Sequence, residues 1–289
     1  MAPLLGLRPI TKVVKAASMM EGAGVQVARS VGSQGLRNLD PYLMLDELHL
    51  PAAAAFAGFP NHPHRGFETC SIMLEGEMEH KDSCGNKGVI GPGGVQWMTA
   101  GRGIIHSEMP KGTTGNMHGF QLWINLPAKD KLCKPRYQDY QASDIPVATS
   151  GGVSVRVMAG ECMGTSGPIK MRNPGTLLDV RLEAGASFSH RVSSEWSGFV
   201  YVYTGGGVVC GSKAVAQHAM VMGAGDMVEA VASDSGMRFL LIAGRPINEP
   251  IVQHGPFVMN TQDEIQQAFA DYQSGKLQNP SDDVWQDEL

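Results

Sequence analysis

The chain has 289 residues, of which 43% are hydrophobic and 18% charged, with a formal net charge of −5. That is enough apolar material for one large domain or two ordinary ones, and the acidic balance argues against direct nucleic-acid binding, which carries a basic excess. No run approaches the ~20 apolar residues that a membrane-spanning helix needs.

Near the N-terminus, Val13-Val14 and Val25-Gln26-Val27 read as strand material. No compact apolar stretch of a secretory signal is expected there, and Arg8, Lys12 and Lys15 do not make an Arg/Ser-rich transit peptide. Short β-rich runs then recur, at Thr69–Leu74, Val95–Thr99, Gly119–Leu126, Val153–Met158, Leu177–Leu182, Gly198–Tyr203 and Arg238–Ala243. Glycine and proline, 36 and 17 residues, are spread between them rather than clustered, which indicates an all-β sandwich or barrel. Gly91-Pro-Gly-Gly94 leads through strands to Leu126-Pro127, and Gly223-Ala-Gly-Asp226 leads in the same way to Arg245-Pro246. This echo at half-chain spacing suggests a duplicated barrel. Cys133–Gly152, rich in Pro, Ser, Asp and Gly, is the natural connector, so the expected domains are residues 1–135 and 136–289. One segment has helical period: Thr261-x-x-Glu264 is a capping box, Ile265, Ala268, Phe269 and Tyr272 make an apolar face, and Gly275 suits the C-terminal end. The final Trp285-Gln286-Asp287-Glu288-Leu289 comes near an ER-retrieval tail, but with Gln286 where Lys or His is usual, and we read it as coincidence. Five cysteines (Cys70, Cys84, Cys133, Cys162, Cys210) form no C-x-x-C pair, as expected of reduced, mostly buried thiols in a cytoplasmic or nuclear protein.

The chemistry concentrates in the first half, where six of nine histidines lie between His49 and His118. In a strand, residues two apart share a face, so His62 and His64 project together, and so do His106 and Glu108. Two such pairs on neighbouring strands can converge on one divalent metal ion. Three imidazoles and a carboxylate, without a thiolate, suit iron, manganese, nickel, copper or catalytic zinc better than a structural zinc site, and octahedral geometry would leave two positions open. Each pair alone is a common surface feature; it is the two together in a glycine-rich β-domain that point to a site. Pro63 removes a ladder donor, which predicts an edge strand or a strand entry. Glu68 shares parity with His62 and His64 and competes for the carboxylate role. His80 and His118 are expected to be non-ligands. Trp97, Met98 and Phe120 are expected in the core, with a pocket lining as the alternative.

The segments His62-Pro-His-Arg-Gly-Phe-Glu-Thr69, Leu74-Glu-Gly-Glu-Met-Glu-His-Lys-Asp-Ser83, Gly91-Pro-Gly-Gly-Val-Gln-Trp-Met-Thr-Ala-Gly-Arg-Gly-Ile-Ile-His-Ser-Glu-Met-Pro110 and Gly119-Phe-Gln-Leu-Trp-Ile-Asn-Leu-Pro127 together resemble the pirin family of the cupin superfamily. The stretches Glu21–Val27 and Asp40–Asp46 resemble it too, and Phe199–Gly205 does so more loosely. The resemblance implies a bicupin of two stacked antiparallel β-barrels of jelly-roll type, with a short C-terminal helix and metal in the N-terminal barrel only. It places the ligands at His62, His64, His106 and Glu108 and the metal as one Fe(II) per chain. A general cupin would instead take its carboxylate at Glu68 and its last histidine where this chain has Trp97.

The resemblance also implies an activity. Some pirins act as quercetin 2,3-dioxygenases, opening a flavonol ring with O2, and Glu108 is then the candidate general base. The alternative is an iron-dependent redox switch, acting as a nuclear transcription cofactor or signalling partner through protein contacts. A monomer without membrane attachment is expected in either case. In the second half His190, His218 and His254 are isolated, which reads as a structural barrel or an interaction surface.

Overall fold

A computed structural model describes residues 6–51, 58–112 and 115–277; the C-terminal Trp285–Leu289 lies outside them. Antiparallel strands dominate, and among the described residues there is one α-helix, Gln262–Gln273. No helix among them is long and apolar enough to cross a membrane.

The chain divides between Ala142 and Ser143, inside the expected connector, and each unit also takes terminal segments from the other half. One compact unit, here the first, comprises Ser18–Ala28, Tyr42–Ala142 and Ile247–Leu289; the second comprises Met1–Ala17, Arg29–Pro41 and Ser143–Pro246. The reason is strand pairing across the sequence. Ile10–Lys15 pairs with His218–Met222, which ties the N-terminus to the sheet of the second half. At the other end, Arg65 bridges to Phe257, so the C-terminal segment and its helix join the unit built from the first half. The expected connector also contributes strands. Arg136–Tyr140 pairs with Val95–Thr99, and Val147–Ser150 pairs with Val153–Ala159.

The second unit is a nine-stranded sheet whose longest member, Met227–Gly244, pairs with Gly175–Leu182, Ser187–Arg191 and Ser197–Val209. Val228, Ala230 and Ala232 are buried and alternate with exposed Glu229 and Val231, the period-2 signature of a strand with one face in the core. Val155, Val157, Leu178, Val180, Val200, Val202, Phe239 and Leu241 meet in a single apolar cluster. Each such side chain contributes about 1.5–3 kcal/mol of transfer free energy when fully buried.

The first unit has two main sheets. A seven-stranded sheet runs Arg136–Tyr140, Val95–Thr99, Phe67–Glu75, Met117–Asn125, Tyr42–Leu50, Val25–Arg29 and Ala17–Glu21. A four-stranded sheet runs Phe59–His64, Ile104–Pro110, Met78–Asp82 and Lys87–Ile90. Phe59–His64 is at its edge, as Pro63 requires. Trp97, Met98 and Phe120 are all buried in the core.

The helix starts at the expected capping box: Thr261 Oγ1 accepts from the Glu264 amide at 3.2 Å, and Glu264 Oε2 accepts from the Thr261 amide at 2.8 Å. Ile265 and Ala268 are buried against Phe257, Met259 and Leu277, with Phe269 packed alongside. Tyr272, the fourth member of the apolar face, is partly exposed. Gly275, at φ +75°, supplies the left-handed residue just after the last turn.

Candidate metal centre

The site is built on the four-stranded sheet. His106 lies directly opposite His62 on one side and Asp82 on the other, and Ile104 lies opposite His64. Directly opposed residues of antiparallel strands share a face, so His62, His64 and His106 project the same way. Their ring centroids are 4.3 Å (His62–His106), 4.7 Å (His62–His64) and 4.9 Å (His64–His106) apart. One nitrogen from each can be chosen so that all lie within 4.8 Å of one another. Among the described residues no other group of three His, Cys, Asp or Glu side chains converges in this way.

The turn that aims His64 depends on glycine. Gly66 has φ +88°, a conformation L side chains rarely adopt, and a β-carbon there would run into the carbonyl oxygen of Val258. Its amide donates to Gly101 O at 2.8 Å. Its carbonyl accepts from the buried Lys131 ammonium, also at 2.8 Å. The same ammonium donates to Asn125 Oδ1 and Val258 O at 2.6 and 2.9 Å, and burial lowers its pKa to about 8. Arg65, next to His64, pairs with Asp271 of the helix at 2.8 Å. The peptide after His64 is thus fastened to the C-terminal segment at several points.

Hydrogen bonding selects one nitrogen of each ring. His62 Nδ1 faces Pro60 O at 2.7 Å and His64 Nδ1 faces Pro256 O at 3.4 Å. A carbonyl only accepts, so both rings carry the proton on Nδ1 and leave Nε2 as a lone pair. His106 Nδ1 contacts His80 Nδ1 at 3.4 Å, while His106 Nε2 is buried without a protein partner. Burial, then the His62 charge, pushes the His64 pKa well down, against the bond to Pro256 O. Burial, then the charges of His64, His62 and His80, does the same at His106. Both rings are therefore neutral near pH 7, the form in which imidazole binds metal. An orphaned buried nitrogen costs about 1–3 kcal/mol, and a metal ion held by the trio would satisfy His106 Nε2. His62 is half-buried and the other two are buried, so the cluster opens on the His62 side.

Glu108 follows on the same strand, buried, beyond a register shift between His106 and Glu108. Ser71 Oγ donates to its Oε1 at 2.6 Å and Gln121 Nε2 to its Oε2 at 3.0 Å. The structure brings the three histidines together, whereas the Glu108 carboxylate is no member of the converging group and is held by these two bonds. Glu68 stands in the seven-stranded sheet opposite Thr99, whose hydroxyl donates to its Oε1 at 2.7 Å. His118 is away from the trio, bonded to Glu47 at 2.8 Å and stacked on His49. His80 is no member of the converging group but touches it through His106. The roles of Ser71, Gln121 and Asp82 escaped the sequence, although the period-2 spacing of His80 and Asp82 already put those two on one face.

Comparison with known proteins agrees with this architecture. The Pirin family model matches residues 24–124, and the model for the pirin C-terminal cupin domain matches residues 177–278. A pirin-like protein of Solanum lycopersicum is 49% identical over 273 residues, covering 93% of this chain and 92% of its own. Human pirin is 42% identical over 275 residues, covering 93% of each chain. A crystal structure of quercetin 2,3-dioxygenase from Acinetobacter baumannii superposes with a TM-score of 0.87 at 32% identity, covering 94% of this chain and 99% of that one. With both domain models matched and relatives aligned along nearly the whole length, the chain belongs to the pirin family, a family of bicupins.

Proposed function

We propose that the protein is a metal-dependent dioxygenase of the quercetin 2,3-dioxygenase type, which opens a flavonol ring with O2. The observation that carries this reading is the convergence of three imidazoles, with His106 Nε2 buried without a protein partner and the Nδ1 atoms of His62 and His64 turned to backbone carbonyls. It occurs in a chain similar to a protein described as quercetin 2,3-dioxygenase. In this reading His62, His64, His106 and Glu108 hold one divalent ion, Fe(II), in the first unit only. Manganese, nickel, copper and zinc are alternatives that the same donors accept. Glu108 rather than Glu68 supplies the carboxylate, because it shares a strand with His106 whereas Glu68 belongs to the other sheet.

When bound, such an ion supplies Lewis acidity that lowers the pKa of a flavonol hydroxyl and draws substrate and O2 together. The protein groups do the rest. The carbonyls of Pro60 and Pro256 fix the tautomers of His62 and His64. Glu108 takes the flavonol hydroxyl proton at its carboxylate as general base, and the Ser71 and Gln121 hydrogen bonds hold that carboxylate in place. Substrate enters from the half-buried His62 side, and Phe67 and Trp123, edge-on to His64, shield that ring from water. The five free cysteines accord with a cytoplasmic or nuclear setting.

The test is oxygen uptake by iron-loaded protein presented with quercetin. The expected result is steady uptake that falls together with metal content in His62→Ala and Glu108→Ala. If the iron-loaded protein consumes no oxygen across a flavonol panel, the dioxygenase reading is wrong. The redox switch acting through a transcription or signalling partner then becomes the better account of the same four residues.

A further inference from the structure

His80 and Asp82 are buried in the strand Met78–Asp82, with no exposed side-chain surface in either. Register places Asp82 opposite His106 and His80 opposite Glu108, so both side chains share the face that carries the histidine trio. A histidine–carboxylate pair completely shut away from water is costly unless its hydrogen bonds do something for the structure or the site.

The bonding pattern fixes the direction of the chain. His80 Nε2 lies 3.1 Å from Asp82 Oδ2, and a carboxylate oxygen accepts, so the His80 proton is on Nε2. His80 Nδ1 is then an acceptor. Gln96 Nε2 donates to it at 3.0 Å, with the Gln96 amide oriented by the Tyr137 hydroxyl, which donates to Gln96 Oε1 at 3.3 Å. The second neighbour of His80 Nδ1 is His106 Nδ1, at 3.4 Å. With His80 Nδ1 unprotonated, the proton in that contact belongs to His106 Nδ1, and the His106 lone pair is on Nε2, the buried nitrogen without a protein partner. Tyr137 stacks on His80 at 4.5 Å and 21°, which fixes the plane of its ring. Asp82 is anchored in turn: its Oδ1 accepts from the amides of Cys84 and Asn86 and its Oδ2 from Asn86 Nδ2. Although burial opposes it, hydrogen bonds from His80 and Asn86 hold its carboxyl below the usual aspartate range, so it is the anion that the chain starts from.

We infer that Asp82 and His80 form a two-residue relay that positions His106, fixing its Nδ1–H tautomer and strengthening Nε2 as a metal donor. His62 and His64 face plain backbone carbonyls, so His106 alone among the three is backed by an ionised group. His80 is a positioning residue and not a ligand. The inference rests on the reading of the trio as a metal site, and the experiment below separates the two.

Zinc(II), which is diamagnetic, serves as the probe. In zinc-loaded wild-type protein with 15N-labelled histidine, long-range 15N–1H spectra should show His106 with its proton on Nδ1 and a metal-shifted Nε2. His80 should show its proton on Nε2. Chelator competition should find Zn(II) bound about 10–100-fold more weakly by His80→Phe, in line with the loss of a hydrogen-bond partner behind a metal-bound histidine. His80→Asn, whose amide oxygen can take the place of Nδ1 as acceptor, should recover most of that loss and keep the His106 tautomer. The relay is overturned if His106 carries its proton on Nε2, or if His80→Phe binds Zn(II) as tightly as wild type. It is also overturned if His80→Asn binds as weakly as His80→Phe, since packing alone would then explain both variants. Failure of the wild type to bind Zn(II), Ni(II) or Fe(II) would sink the metal site and the relay with it.

Discussion

The two units of this chain have the same kind of strands and very different interiors. In the second unit a large apolar cluster, from Val153 to Ala243, covers one face of the sheet, and among the described residues its buried polar groups are few, Arg8, Asn173, Thr176 and Asp179 among them. In the first unit the buried polar groups among the described residues include His64, Glu68, Ser71, His80, Gln96, Thr99, His106, Glu108 and Lys131. Burying such groups costs free energy unless each finds a partner, and a sheet that needed only stability would carry the first kind of interior. The contrast separates a unit packed for stability from one that gives up part of that stability to hold a site.

The contrast can be broken from either side. The largest effect on stability is expected in the second unit: Leu178→Ala removes a fully buried side chain from its large apolar cluster and should cost about 2–5 kcal/mol in chemical denaturation. The metal content of the protein that remains folded should be unchanged. In the first unit, Lys131→Met relieves the burial of a charge but strips the donor from Gly66 O, Val258 O and Asn125 Oδ1, for a net loss of roughly 1–3 kcal/mol. This substitution, unlike the first, should also lower metal affinity, because Gly66 belongs to the turn that aims His64. Titration calorimetry on the folded variant would separate the two outcomes. Thr261→Ala removes the N-cap of the helix and should cost about 1 kcal/mol, read as a small drop in Tm.

A graded effect should appear with pH in metal-free protein. His64 and His106 are depressed below the ordinary histidine value by burial. The unfolded chain, titrating near about 6.5, therefore binds more protons than the folded one as pH drops past that point. The stability these rings contribute is present above about pH 6.5 and is lost as pH falls towards their folded values. The denaturation midpoint should decline across that window, and a His64→Phe/His106→Phe double variant should flatten the decline.

Much of this was legible in the residues. Strand period and glycine turns located the principal strands, and Pro63 placed its own strand at a sheet edge because a proline nitrogen cannot donate to a ladder. The helix was readable to its first residue because a capping box is a local, side-chain-encoded signal. The place of Ile10–Lys15 in the second unit was not, since its pairing with His218–Met222 is a contact between segments far apart in sequence with no local signature. At the site, parity paired His62 with His64 and His106 with Glu108, and the strand register then set His106 opposite His62. Parity left both Glu68 and Glu108 open, because both satisfy it; the two lie in different sheets, Glu108 on the strand of His106. Ser71, Gln121 and Gln96 left no trace in the sequence, since small polar residues on strands are ordinary until the register shows what they face.

The account turns on a metal ion held by the three histidines. Elemental analysis of the protein purified without added metal, set beside a His62→Ala/His106→Ala variant, tests this most directly. The account predicts one iron per chain in the wild type and almost none in the variant, with the variant still folded. Near-zero metal in the wild type, or undiminished metal in the variant, would contradict it.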